Sequence, residues 1–199
     1  LLGPEFQQQN QVIAGIPADS NYIIFVIDNS GSMKSWAWGK LKTEMTNILD
    51  IYPEVKGLQI MNCEGKYMFS SAPDQWLVDS PGIRKNIIKK LDTWNAVCNS
   101  NPAPGIEAAI RNFYKSDRKI SIYYLGDDFQ GRSIGRVVKI VDQLNKAHRG
   151  AERLVRIHAI GFPVLQQQSN DNDNVIKFAA LMRELSYNNG GTFIGLNSL

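Results

Sequence analysis

The sequence predicts an α/β fold: a doubly wound, mostly parallel sheet with helices on both faces and one antiparallel edge strand. Three observations carry this. The runs 22–27 and 120–125 are strand-sized and apolar throughout, as strands covered on both faces are. Stretches with apolar residues at helical spacing separate the strand candidates, and that alternation implies right-handed crossovers onto a parallel sheet. Two of the strands run directly into acids, Asp28 and Asp127, at the carboxyl ends where open sheets of this kind bind ligands.

A chain of 199 residues suits one domain with a sizeable core. Hydrophobic residues at 43% and charged residues at 21% are ordinary for a globular protein, and a net charge of +3 is too small and dispersed to point to nucleic acid. The longest apolar runs fall far short of the roughly 20 residues that span a bilayer. This segment is therefore expected neither to bind nucleic acid nor to insert into a membrane.

Residues 1–21 are polar and Gln-rich and are assigned to a tail or linker, with Leu1 to Phe6, Gly3-Pro4-Glu5-Phe6 above all, set aside as resembling a cloning remnant. A tail of this kind is expected of a domain cut from a longer chain, and the domain itself is assigned to residues 22–199. After the first strand, Trp38, Leu41, Met45, Ile48, Leu49 and Tyr52 mark a helix closed by Pro53. Residues 57–63 and 66–70 flank Glu64-Gly65 and read as a hairpin, the source of the antiparallel edge strand. Ser80-Pro81 opens a second helix with a capping hydroxyl and a proline at its first position. A loop over 92–104 precedes a helix at 105–114, and residues 120–125 form the strand that ends in Gly126-Asp127-Asp128. Ser133 to His148 is an amphipathic helix whose basic row, Arg132, Arg136, Lys139 and Lys146, reads as a solvated face. Residues 153–162 are a strand, 166–173 a polar loop, 174–187 a helix with a C-cap at Asn188-Asn189-Gly190-Gly191, and 192–194 a last short strand.

The chemistry concentrates at Asp28-Asn29-Ser30-Gly31-Ser32. A carboxylate and two hydroxyls on alternate residues offer three oxygens to one point, a donor set that suits a hard divalent cation. With the distant Gly126-Asp127 strand end and the closing Gly190-Gly191-Thr192-Phe193, this motif resembles the von Willebrand factor A-type domains, the fold of the integrin inserted domain, over residues 22–195. The resemblance implies a metal-ion-dependent adhesion site with one Mg²⁺ (or Mn²⁺ or Ca²⁺), its donors carried over as Asp28, Ser30, Ser32 and Asp127. It implies a protein-binding module for adhesion or assembly, not an enzyme, whose partner presents an Asp or Glu to the metal. It also implies a bacterial or cell-surface protein in an envelope, periplasmic or extracellular setting. The alternative is the same scaffold with a degenerate site, binding its partner without metal.

The sequence departs from the family pattern in two places. Setting the helix start at Gly105 puts Pro104, which has no side-chain oxygen, where the family usually carries a threonine; Asn99, Ser100, Asn101 or a water is left to fill the gap. The family's mobile helix after the last strand has no counterpart before Leu199. Asp128 reads as a neighbouring surface acid. Trp36 and Trp38 are read either as an aromatic contact rim or as anchors of the first helix. His148 and His158 have no nucleophile partner and read as structural. Cys63 and Cys98 form no zinc-type cluster and are either one disulfide or two buried thiols. A dehalogenase-type phosphatase needs an acid where Ser30 stands, and neither a phosphate-binding Gly-rich loop nor Gly-x-Ser-x-Gly occurs.

Overall fold

The computed structural model describes residues 12–13, 16–17, 19–95, 97–146, 153–164 and 172–199. Of the loop predicted over 166–173, residues 166–171 lie outside the described residues, as does His148, while Asn172 and Asp173 already belong to the following helix.

Five strands form one parallel sheet: β3 (Tyr22–Ile27), β4 (Gly57–Asn62), β5 (Ile120–Gly126), β6 (Arg156–Gly161) and β7 (Phe193–Gly195), in the order β4-β3-β5-β6-β7. Residues of β3 are buried from Ile23 onward because helices cover both faces. Ile23, Phe25 and Ile27 face the core under α1 (Trp38–Ile51) and α2 (Pro81–Lys90). Ile24 and Val26 face the core under α3 (Pro102–Phe113), α4 (Ile134–Leu144) and α5 (Asn172–Asn188). The chain winds from β3 outward to β4, then returns past β3 to β5 and continues to β7. The switch point of the doubly wound sheet is therefore the crevice between the carboxyl ends of β3 and β5.

Several elements differ from the sequence reading. No antiparallel edge strand forms over 66–70: the edge of β4 carries isolated antiparallel bridges, Met61 to Tyr67 and Leu58 to Leu77. Continuing the first register would set Ser70 opposite Leu58, but Gln59, buried in β4, donates its amide to Ala72 O and Gln75 O and loops the intervening chain out. The helix predicted from Gly105 starts at Pro102, because Asn101 accepts the Ala103 N–H and proline suits the first helical position. The segment read as a tail contains a two-stranded ribbon, β1 (Val12–Ile13) with β2 (Ile16–Pro17). The domain already begins by Asp19: Arg156 bonds the Asp19 carboxylate, and Ser20 shares a 2.8 Å hydroxyl hydrogen bond with Ser121. No described helix is long and apolar enough to cross a membrane.

Candidate metal centre

The four residues singled out as donors come together at the switch point. Asp28 follows β3, and its backbone N–H donates to Leu125 O at 2.8 Å, which holds the loop against the end of β5. Gly126 opposite it has to be small: a Cβ there would lie 3.0 Å from Asp28 Cβ and 2.8 Å from Tyr124 Cε1. Ser30 N–H donates to Asp28 Oδ1 at 2.9 Å, and the Ser30 and Ser32 hydroxyls are 3.1 Å apart. Helical backbone then starts within the motif and widens into a π-type turn, Met33–Ala37, before α1. Such widened turns recur at functional sites. Ser30 and Ser32 remain partly exposed, whereas Asp28 and Asp127 are 0% and 1% exposed.

Burial without countercharge defines the electrostatics. Burial raises the Asp28 carboxyl above the ordinary carboxylate range, against the lowering effect of Ser30 N–H and of the nearby Ser100 and Ser30 hydroxyls. Asp127 is pushed up to about 7, first by burial and next by the Asp28 charge, with Ser32 opposing. None of those neighbouring hydroxyls reaches a well-aligned hydrogen bond with Asp28 Oδ2 or with either Asp127 oxygen, so all three buried oxygens are left without a partner. Asp128 is a third buried acid rather than a surface one, held by Phe129 N–H at 2.6 Å and by the Gln130 amide. Among the described residues none of the three acids is ion-paired. The Tyr124 hydroxyl, also buried and unpartnered, stays a neutral phenol because burial and then the Asp28, Asp127 and Asp128 charges raise it far above its usual range. A single divalent cation fits this donor set: it would meet the orphaned oxygens and supply the missing positive charge.

Of the residues the sequence offers to fill the gap left by Pro104, Ser100 is the one set beside Asp28. It is 4% exposed, has a left-handed backbone (φ 44°), and sets its hydroxyl near the Asp28 carboxyl. Pro104 lies inside the first turn of α3. Cys63 and Cys98 form a disulfide, with Cα atoms 5.9 Å apart, and Cys98 Sγ lies 3.7 Å from Asp28 Oδ1. Asp28, Cys63 and Cys98 thus cluster tightly, but sulfurs bonded to one another are not thiolate ligands, and the donors on offer are oxygens. Trp38 is partly buried and donates its indole N–H to Leu91 O at 3.1 Å, so it anchors α1, while Trp36 is 56% exposed beside the motif. His158 is structural: buried, stacked on Tyr123, and accepting Thr192 N–H at Nδ1.

No family model and no curated protein sequence matches the chain. Solved structures do. A conserved hypothetical protein, BatB from Bacteroides thetaiotaomicron, superposes with a TM-score of 0.57 at 14% identity, over 89% of this chain and 91% of that one. A von Willebrand factor type A protein from Catenulispora acidiphila superposes with a TM-score of 0.65 at 13% identity. That match covers 92% of this chain and 40% of the other, so the likeness is to less than half of that protein. Together with the five-stranded sheet, these likenesses show a von Willebrand factor A-like fold.

Proposed function

We propose that this domain is a cation-dependent protein-binding module, and that its partner presents an aspartate or glutamate at the carboxyl end of the sheet. The observation that carries the reading is the set of unpartnered buried oxygens, Asp28 Oδ2 and both Asp127 oxygens, at the switch point of a von Willebrand factor A-like fold. Asp28, Asp127, Ser30 and Ser32 would hold Mg²⁺ or Mn²⁺, with Ser100 contributing the oxygen that Pro104 cannot. When bound, the cation neutralises the buried acids and offers an exchangeable position to an incoming carboxylate. The protein's own part is to keep the acids dry and close, and to leave the two serine hydroxyls open to one side. Exposed Trp36 then supplies an apolar rim of the kind that anchors interfaces. The role proposed is binding rather than catalysis. That role fits adhesion or assembly at a cell envelope.

Calorimetric titration with Mg²⁺ and Mn²⁺ tests this. Wild type is expected to give a binding heat that Asp28→Ala abolishes. A flat wild-type titration through the millimolar range overturns the proposal in favour of a metal-free scaffold.

A further inference from the structure

Val97 to Asn101, the described residues leading into α3, have no regular structure, yet they carry the Ser100 hydroxyl that is set near Asp28. Left-handed backbone is disfavoured for serine and persists only where the surroundings fix it. Among the described residues, Ser100 shares a positive φ only with Asp74 and with glycines. Among the described residues its non-covalent ties are few. Gln130 N–H donates to Ser100 O at 3.2 Å, Asn101 is committed to capping α3, and Asn99 makes only a long, exposed contact of 3.4 Å to Glu64.

The covalent tie is two residues upstream, and it runs to a rigid point. Cys63 directly follows β4; its N–H donates to Ile27 O at 3.0 Å and its carbonyl accepts Gly105 N–H at 2.9 Å, which locks it between β3 and α3. Gly105 allows that approach, since a Cβ there would lie 2.7 Å from both Asn62 O and Val26 Cγ1. The disulfide spans 35 residues of sequence and is buried at both ends.

From this geometry we infer that the Cys63–Cys98 disulfide is a positioning element of the cation site: it seats Ser100 against Asp28 and so sets cation affinity. The inference rests on the function proposed above, and on Ser100 as a donor within it. It predicts that opening the bond removes the Ser100 oxygen from the site while the sheet, and the other four donors on it, stay in place.

Two measurements test it on the whole chain. The first needs no metal: exchange of the Gln130 amide, which donates to Ser100 O, is compared in wild type and in the double variant Cys63→Ser/Cys98→Ser. Exchange is expected to quicken at least ten-fold while β3 and β5 amides keep their protection. Unchanged protection at Gln130 overturns the inference. The second is a Mg²⁺ titration of wild type, Ser100→Ala, the double variant and the triple combination. Ser100→Ala and the double variant are each expected to lose roughly ten-fold in affinity. The triple variant is expected to lose no more than the double, because one oxygen cannot be removed twice. Additive losses, or full affinity in the double variant, overturn the inference. A wild type that binds no Mg²⁺ overturns the proposed function instead, and the exchange result then judges the disulfide alone. If the double variant does not fold, dithiol-reduced wild type in the cold replaces it. Reduction breaks the S–S bond, delivers two electrons and two protons to the sulfurs, and leaves the reductant as its own disulfide.

Discussion

The two ends of the sheet treat buried polarity in opposite ways. At the foot, where β5 and β6 begin, acids and amides have partners. Arg156 bonds the Asp19 carboxylate, which is held below its usual range by Arg156 even though burial pulls the other way. Asn145 donates to Val155 O and Asn189 Oδ1, each at 2.7 Å, and accepts Val155 N–H at 2.8 Å. A cavity of about 600 Å³ also lies here, bordered by Arg118, Lys119, Arg153 and Arg156. At the top, three buried acids meet without an ion-paired lysine or arginine among the described residues. The difference teaches where to look for function. A chain that pairs its carboxylates at one end, and leaves carboxylates unmatched at the other, has left room for a ligand at the second.

Breaking the top is expected to give the largest effect. Asp28→Ala should eliminate Mg²⁺ binding by calorimetry. Asp127→Asn should also lose the metal, yet it should raise the thermal midpoint of the metal-free protein by about 2–4 °C, since removing an unpaired buried charge returns roughly 1 kcal/mol. A lower midpoint for Asp127→Asn would show that the acid is already compensated. Breaking the foot should do the reverse. Asn145→Leu leaves Val155 N–H, Val155 O and Asn189 Oδ1 without their partner and is expected to cost about 3 kcal/mol in urea unfolding, with metal binding intact.

Acid sharpens the comparison, because the two ends titrate with opposite sign. His158 is lowered to about 3, first by burial and then by Arg156. The native state therefore binds fewer protons than the unfolded chain between that value and about 6.5, so its contribution to stability is complete above that range and is lost as pH falls through it, at no more than ~1.4 kcal/mol per pH unit. Asp127, raised to about 7, makes the metal-free native state take up a proton first, so its term stabilises as pH falls from 7 toward 4. Urea midpoints at pH 7.5 and pH 5 should thus show His158→Asn losing less than wild type on acidification, and Asp127→Asn losing more. Equal slopes in all three would refute the assignment. The smallest effect belongs to a helix cap: Ser80→Ala, which removes the cap on Ile83 N–H, should cost about 1 kcal/mol and leave both the metal and the pH behaviour unchanged.

Much of the fold was legible because burial on both faces leaves a periodic signature. The run at 22–27 is β3 to the residue, and the Ser80-Pro81 opening is the start of α2. The edge hairpin was misread because two short apolar runs around Glu64-Gly65 satisfy a local rule, while the Gln59 contacts that loop the chain out join residues far beyond the turn. The start of α3 was misplaced because Asn101-Pro102 had been absorbed into a Pro-rich loop, although it carries the same cap-then-proline signal read correctly at Ser80-Pro81.

By itself the sequence determined the strands, the two acids at their carboxyl ends and the serines between them, since each depends on a few consecutive residues. Only the tertiary structure decided that Asp128 is buried, that Cys63 and Cys98 are bonded, and that Ser100 rather than Asn99 or Asn101 lies beside Asp28. Those outcomes depend on how the end of β4, the loop before α3 and the switch point meet in space. Residues 28, 63, 98 and 127 are drawn together by strand order, and strand order is not written in any local stretch of the chain.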